Sequence, residues 1–423
     1  MKIALVASSY LPDRGRLERR VAELARGLAR RGAEVEILTQ GLAQRPLEQH
    51  EGVTIRRYTT VVGPLRFAVA PRLRDRIRVT SRRCDVVDVH TRHLPLAVAV
   101  ANTGVGPLVL TPGGPMDVSS NWRHATAMNT VIEAAAHIVC PSEIERDLVR
   151  SIVPGAERRT QVLPDGIDVA ALTKARPFAT DEIVVLSVDR LDHATSVGRA
   201  IAAVPGLDPE FRLVIVGDGP ARARLSAFAA DLQISSRVQF VGAVSDELLY
   251  RWLRSARVVV TLARDRGSGS LLAEARAAGV AVVASDLPIH RLAAERPGLG
   301  HVVFVSPRGS PIDVADAIEE AARLPTRSNA ALLSSSTRTW ETVVESTWKL
   351  YRRLLGDAVD SEPGHASSEV VDLTAQLQAG RQSVVQPEIS AAAGAVPEPA
   401  NGRGWWPNRR RYEDRANGAR RWH

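Results

Sequence analysis

The stretch from Val258 to Ser285, VVVTLARDRGSGSLLAEARAAGVAVVAS, holds the residues best spaced for chemistry. A buried strand (Val258 to Leu262) leads into a Gly-rich loop, Arg264 to Ser270. A helix is expected from Leu271 to Ala278, with Gly279 ending it and a second buried strand starting at Val280. Backbone N–H groups at the start of such a helix, reinforced by its dipole, favour an anion such as a phosphate. Glu274, one turn into the helix, offers a carboxylate that can accept hydrogen bonds from sugar hydroxyls. The same unit also reads as an ordinary βαβ crossover carrying a surface glutamate.

Other candidate residues are weaker. His90 and His93 have a metal-like spacing, but no third ligand is evident, and a turn after a strand is the better reading. GDGPAR from Gly217 opens like a dinucleotide fingerprint, yet Arg222 stands where the final glycine belongs, which speaks against a nicotinamide oxidoreductase. Cys84 and Cys140, far apart, allow neither a disulfide framework nor a Cys-based metal motif, so a reducing cytoplasm is expected. The opening MKIALVASSYLP reads as a first buried strand rather than a signal segment, because Pro12 and Asp13 break the apolar run. No apolar run approaches the roughly 18 residues needed to span a bilayer.

The net charge of +8 calls for an anionic partner: nucleic acid, anionic lipid or a phosphorylated small molecule. No nucleic-acid-binding motif supports the first, and none is expected to bind. Only Lys2, Lys174 and Lys349 are lysines, and such heavy use of arginine weakens any reading of a single one. The arginines at 72, 74, 76, 78, 82 and 83, with Arg16, Arg19 and Arg20, suggest a basic face on the first domain. Solvated helix faces explain them equally well.

The elements that must position these residues alternate. Strands are expected at Lys2 to Ser8, Val35 to Leu38, Val53 to Tyr58, Val86 to Val89, Leu108 to Leu110, His137 to Cys140 and Gln161 to Leu163. A helix from Glu18 to Arg31 carries Val21, Leu24, Ala25 and Leu28 on one face and ends at Gly32. Another lies at 129–135, and a third is capped by Ser142 with Glu145 at the capping-box position. A second series has strands at Ile183 to Val188, Arg212 to Val216, Val238 to Val241, Val258 to Leu262, Val280 to Ala284 and Val302 to Val305. Thr339 to Leu355 reads as a last amphipathic helix. The alternation indicates two doubly wound α/β domains with mostly parallel sheets. The expected division is 1–170, 171–337, a helix at 338–356 that returns to the first domain, and a tail at 357–423. The tail has little to bury before its Trp/Arg-rich end, so disorder is expected. That end places Trp405, Trp406, Tyr412 and Trp422 among seven arginines and two acids, a mixture suited to an anionic membrane surface or to nonspecific adhesion.

Taken in order, several stretches resemble the retaining glycosyltransferases of the GT-B fold, family four. They are the opening MKIALVASSYLPDRGRLERRVAELARGLARRGAEVEILT, then HIVCPSEIERDLV, VLPDGIDVAAL, VDRLD and LVIVGDGPARARLSAFAADL. RVQFVGAVSDELLYRWLRSARVVVTLAR, LLAEARAAGVAVVASDLPIHRLAA and TWETVVESTWKLYRRLL complete the set, over about residues 1–355. The resemblance implies two Rossmann-like domains facing a cleft and a nucleotide diphosphate sugar as donor. It also implies retention by front-face attack and no need for a metal; no D-x-D pair occurs in the chain. The expected product is a hexosylated acceptor, lipid-linked or of the cell envelope, made on the cytoplasmic face of the membrane. Leaving-group charge then has to be stabilised by fixed cations and helix N-termini.

Carried over residue by residue, the resemblance gives Arg190 the donor diphosphate and Glu274 the ribose. Gly15, Gly269, Ser270 and Leu271 line the donor site, the glycines by letting backbone approach the ligand. Several ligand-facing positions depart from the family pattern. Thr195 and Ser196 replace a Lys-Gly pair, and Arg266 replaces the first Glu of an E-x7-E pair. Arg16 replaces a glycine, Gly113 a histidine, Asp88 a histidine and Asp165 an asparagine. Arg266 is a candidate catalytic cation beside Arg190, compensating for Thr195, or else it blocks the sugar pocket. The alternative function is a degenerate, non-catalytic GT-B protein that partners or regulates another transferase.

Overall fold

The computed structural model describes residues 1–356, apart from 13–14, 42–45, 60–69, 92, 105, 114–121, 193–195, 264–268, 296–299 and 326–337. Strands β1 (Lys2–Ala7), β2 (Glu34–Gln40), β3 (Leu47–His50), β4 (Val53–Tyr58), β5 (Val86–Thr91), β6 (Leu108–Pro112), β7 (His137–Cys140) and β8 (Thr160–Val162) form one sheet. Strands β9 (Ile183–Val188), β10 (Phe211–Val216), β11 (Val238–Gly242), β12 (Val258–Thr261), β13 (Ala281–Ser285) and β14 (Val302–Val305) form a second. The helices are α1 (Arg16–Arg30), α2 (Pro71–Ser81), α3 (Leu94–Ala101), α4 (Trp122–Ala134), α5 (Glu143–Ile152), α6 (Val169–Lys174) and α7 (Val197–Ala203). They continue with α8 (Arg222–Asp231), α9 (Asp246–Ser255), α10 (Gly269–Ala277), α11 (Pro288–Glu295), α12 (Pro311–Arg323) and α13 (Trp340–Leu354).

The first sheet runs β3-β4-β2-β1-β5-β6-β7-β8, with only the β3–β4 pair antiparallel. The second runs β11-β10-β9-β12-β13-β14, all parallel. Both are doubly wound, because the chain builds outward from β1 or β9 first on one side and then on the other. Each therefore has a switch point, between β1 and β5 and between β9 and β12, where ligands bind beyond the carboxyl ends of the strands. Side chains of the central strands alternate between two helical layers, as a period of two requires. Ile3, Leu5 and Ala7 join the core beneath α1 and α13, while Ala4 and Val6 join the core beneath α2, α3 and α4.

Helix α13 lies on α1. Trp340, Val343, Val344, Leu350 and Tyr351 are buried with Ile3, Leu24 and Leu28. A Cβ on Gly27 of α1 would collide with Val344, so the absent side chain sets how closely the two helices approach. Capping follows sequence: Ser142 accepts from the Glu145 N–H (3.4 Å) and donates to its Oε2 (2.8 Å), and Thr339 accepts from the Thr342 N–H (3.3 Å). Gly32 and Gly279 stop α1 and the α10 turn in left-handed backbone, at φ of 84° and 75°.

Several elements differ from expectation. Helix α1 starts at Arg16, so Arg16 joins the helix rather than the loop. Helix α4 starts at Trp122 rather than 129, because its first turn carries no apolar stripe. Helix α3, LPLAVAVA, is apolar all round and shows no helical period. Strand β3, LEQH, is a mostly exposed edge with no alternation to find. The tail from 357, including the expected disorder and Trp405, Trp406, Tyr412 and Trp422, lies outside the described residues.

Candidate functional site

The chain places chemistry-bearing residues at both switch points. In the second sheet, β9 ends at Val188 and is followed by Asp189, Arg190 and Leu191. The GDGP loop after β10 packs on this segment. Gly217 (φ 136°) and Gly219 (φ 155°) occupy backbone space closed to a side chain, since a Cβ on either would strike the Asp189 or Leu191 carbonyl. The Leu191 N–H donates to Asp218 O at 3.1 Å, and Leu191 itself is buried. The partial G-x-G thus supports the Arg190 segment by backbone contact. Arg190 is exposed, and its guanidinium pairs with no other described residue.

Strand β12 lies next to β9, with Val260 opposite Ser187, so the loop leaving β12 emerges beside Arg190's segment. Arg199 of α7 pins that exit. Its Nη1 donates to Leu262 O (2.9 Å) and Ser285 Oγ (2.9 Å), and its Nη2 to Ser306 O (2.8 Å). The loop residues 264–268, including Arg266, lie outside the described residues, as does Thr195. Gly269, Ser270 and Leu271 form the first turn of α10, and Glu274 follows in its second. A Cβ on Gly269 would press on the Ala293 methyl of α11, so this glycine serves helix packing as well as openness.

Glu274 is not a free carboxylate. Arg19 Nη1, from α1, donates to Glu274 Oε1 at 2.8 Å. Arg19 Nε lies 3.8 Å from Asp246 Oδ2, and its guanidinium carbon sits 5.2 Å from the centre of the Tyr250 ring. Burial pushes the Glu274 carboxyl above its ordinary value, and Arg19 only partly offsets that.

At the first switch point, Gly15 is the N-cap of α1 in extended backbone, and no side chain caps the helix. Ser9 Oγ donates to Glu18, whose carboxylate lies beside Gly15. Arg16 Nη1 donates to Asp165 Oδ2 at 3.1 Å, and Arg20 Nη1 donates to Asp165 Oδ1 at 2.6 Å. Arg16 also faces Glu145 Oε1 at 3.8 Å. Burial alone would raise the Asp165 carboxyl, but the two guanidinium groups outweigh it and hold its pKa below the ordinary value. The basic face expected for Arg16, Arg19 and Arg20 is therefore absent. All three turn inward, each onto a carboxylate from another element. The arginines of α2 behave differently: 72, 74, 78, 82 and 83 are exposed, while Arg76 pairs with Glu36 at 3.0 Å.

A second buried group lies within β5. Asp88 Oδ2 accepts from Tyr351 Oη of α13 at 2.6 Å, and Asp88 Oδ1 accepts from Thr111 Oγ1 at 3.2 Å. His90 Nε2 lies 3.1 Å from Asp88 Oδ2, and His90 is fully buried. Against the upward push of burial, His90 and these hydrogen bonds keep the Asp88 carboxyl below its ordinary value. His93 sits in a turn, with its N–H donating to Thr91 Oγ1 at 2.8 Å. Sequence reasoning missed the partners Arg19, Arg20, Asp246, Tyr250 and Tyr351. Their only advance signal was an excess of charge at the start of α1, matched by acids at the departures Asp88 and Asp165.

Comparison with known proteins agrees with this architecture. The model described as Glycosyltransferase Family 4 matches residues 17–171, and that described as Glycosyl transferases group 1 matches 168–333. The chain is 28% identical over 349 residues to the D-inositol 3-phosphate glycosyltransferase of Acidothermus cellulolyticus, covering 67% of this chain and 75% of that one. It is 28% identical to the phosphatidyl-myo-inositol mannosyltransferase of Mycolicibacterium smegmatis, over 76% of this chain and 83% of that one. Identity is 27% to the GDP-mannose:cellobiosyl-diphosphopolyprenol alpha-mannosyltransferase of Xanthomonas campestris, over 85% and 96%. Among solved structures, the sucrose-phosphate synthase of Thermosynechococcus elongatus superposes with a TM-score of 0.70 at 19% identity, covering 84% of this chain and 99% of that one. Anabaena HepE, in complex with UDP-glucose, superposes with a TM-score of 0.61 at 18% identity, covering 91% and 100%. Two doubly wound domains, matched in chain order by these two glycosyltransferase models, give this chain the GT-B fold and a resemblance to the glycosyltransferases of family four.

Proposed function

We propose that this chain transfers a hexose, with retention, from a nucleoside diphosphate sugar to a lipid-linked or cell-envelope acceptor. One observation carries the reading: an exposed Arg190, paired with no other described residue, at the β9–β12 switch point, beside the strand that feeds α10. Departure of the sugar leaves negative charge on the diphosphate. A fixed guanidinium and the N–H groups of Gly269, Ser270 and Leu271 stabilise that charge as it forms. Glu274 holds the ribose diol and so fixes the anomeric carbon relative to the acceptor. Arg266 supplies a second cation from its loop. Attack comes from the face the leaving group vacates, and no metal is required.

The acceptor class rests on relatives whose names specify inositol phosphate, phosphatidyl-inositol and diphosphopolyprenol substrates. A nucleotide donor accords with HepE, whose structure holds UDP-glucose. We extend the proposal to peripheral attachment at the cytoplasmic membrane face, through the exposed arginines of α2 and the Trp/Arg-rich tail. In the described residues no helix is long and apolar enough to cross a bilayer.

The test is turnover. The full chain is incubated with UDP-glucose or GDP-mannose and membrane lipid extract, and released nucleoside diphosphate and the product's anomeric proton coupling are measured. The expected result is α-linked product from an α-linked donor, undiminished by EDTA. Arg190→Ala, Glu274→Ala and Arg266→Ala should each lower kcat/KM about 10- to 100-fold, the worth of one charge-assisted hydrogen bond. Inverted product, or variants as active as the parent chain, would contradict the assignment.

A further inference from the structure

Glu274, the residue assigned to the ribose, is paired with a side chain from the other domain. Arg19 reaches it from the first turn of α1, joining that turn to the second turn of α10 at 2.8 Å. Both side chains are mostly withdrawn from solvent, at 14% exposure for Arg19 and 12% for Glu274. The Arg19 guanidinium is not saturated: its buried Nε has no hydrogen-bond partner, and Asp246 stands 3.8 Å away. Behind it the face of Tyr250 supplies a surface rather than an acceptor.

A ribose diol that takes the Glu274 carboxylate displaces the guanidinium. Displacement leaves a mostly buried cation with only the longer Asp246 contact, at 3.8 Å, which is unfavourable. A nucleoside diphosphate brings its own remedy, because the phosphates are joined to the ribose through its 5′ oxygen and arrive beside the displaced group. We infer that Arg19 is a donor-binding residue that exchanges partners: it pairs with Glu274, and it passes to the donor's diphosphate when the diol binds Glu274. After the exchange both charges are again satisfied, the carboxylate by hydroxyl donors and the guanidinium by phosphate oxygens, where its planar fork binds two at once. The site thereby selects diphosphates over bare nucleosides, which displace Arg19 and offer it nothing. This rests on the reading that Glu274 takes the ribose.

Calorimetric titration of the full chain with UDP, GDP and ADP, and with uridine, guanosine and adenosine, tests the exchange. Arg19→Ala is expected to weaken binding of the preferred nucleoside diphosphate about 10- to 100-fold. Affinity for the matching nucleoside should stay the same or rise, so the preference for diphosphate collapses. Arg19→Gln, which keeps a hydrogen bond to Glu274 without the charge, should do the same if Arg19→Ala fails to fold. Equal tightening for both ligands would make Arg19 a mere competitor, and no change for either would make it an interdomain tie; each result overturns the inference. Glu274→Ala separates the two readings: unchanged diphosphate binding there removes the ribose assignment itself.

Discussion

Asp165 shows how individual charges are held at the start of α1. It takes one hydrogen bond on each carboxylate oxygen from two arginines of the same helix, so neighbours rather than solvent fix its charge. Its folded-state pKa lies below that of the unfolded chain, near 3.9. The stability it contributes is therefore fully present above the unfolded value and is lost as pH falls through the folded one. Asp165→Asn should destabilise the chain by roughly 3–5 kcal/mol at neutral pH, because Arg20 loses its hydrogen-bonded counter-ion and Arg16 keeps only Glu145, at 3.8 Å. The gap between the parent and the variant, followed by urea unfolding, should narrow below about pH 4. A gap independent of pH would show that packing, not charge, holds this site. Glu145 and Glu274 oppose the trend in the parent chain, since burial raises both; the Asp165 charge adds to that rise, so Asp165→Asn relieves part of it in the variant. Arg16 and Asp165 replace a glycine and an asparagine of the family pattern. They face each other across 3.1 Å, and the two departures make one ion pair.

Helices α1 and α2 carry most of the exposed-versus-buried contrast among the arginines. On α1 the basic residues at 16, 19 and 20 project toward carboxylates of three other elements, so the helix joins the two sheets' switch points. On α2, Leu73 and Ile77 are buried, while Arg72, Arg74, Arg78 and Val79 are exposed, with Arg82 and Arg83 just beyond its end. Arginines near an anionic leaflet contribute about 1 kcal/mol each and are screened by salt. The chain should sediment with vesicles containing phosphatidylglycerol and not with pure phosphatidylcholine. Glutamate at 74, 78 and 82 together should release it at moderate salt. Sedimentation unaffected by these changes would place the contact elsewhere, the tail being the next candidate. From sequence alone the two arginine clusters looked alike, because clustering of arginine records composition. Only the acids that fold back from distant positions, such as Asp165 and Glu274, separate a buried row from a solvated one. Strand positions and the second α/β series were legible, because β-branched runs and glycine stops repeat with regular spacing. Helix α3 and strand β3 were not, having no period to read.

At the scale of the whole described chain, two doubly wound sheets each offer a switch point, and the pairing of Arg19 with Glu274 links them. Helix α13 closes the arrangement from the first domain's side, anchored by Tyr351 on Asp88. Chain segments 165–167 and 338–340 pass in contact: the Ile167 N–H donates to Arg338 O at 2.9 Å, and a Cβ on Gly166 would strike Trp340. The PDGID glycine is thus needed for chain crossing, independently of any ligand. Scaffold glycines and strand ends were readable because backbone sterics admit few residues. The first-domain substitutions Arg16, Asp88 and Asp165 were readable only as departures, because their effect depends on partners more than a hundred residues away. The central claim is that a nucleoside diphosphate binds at the β9–β12 switch point through Arg190. Calorimetric titration of the full chain with UDP, GDP and ADP tests it most directly, in parallel with Arg190→Ala. Micromolar binding of one of the three, weakened about 10- to 100-fold by the substitution, is the predicted result. A folded chain that binds none of them, or binds one equally well without Arg190, would contradict it.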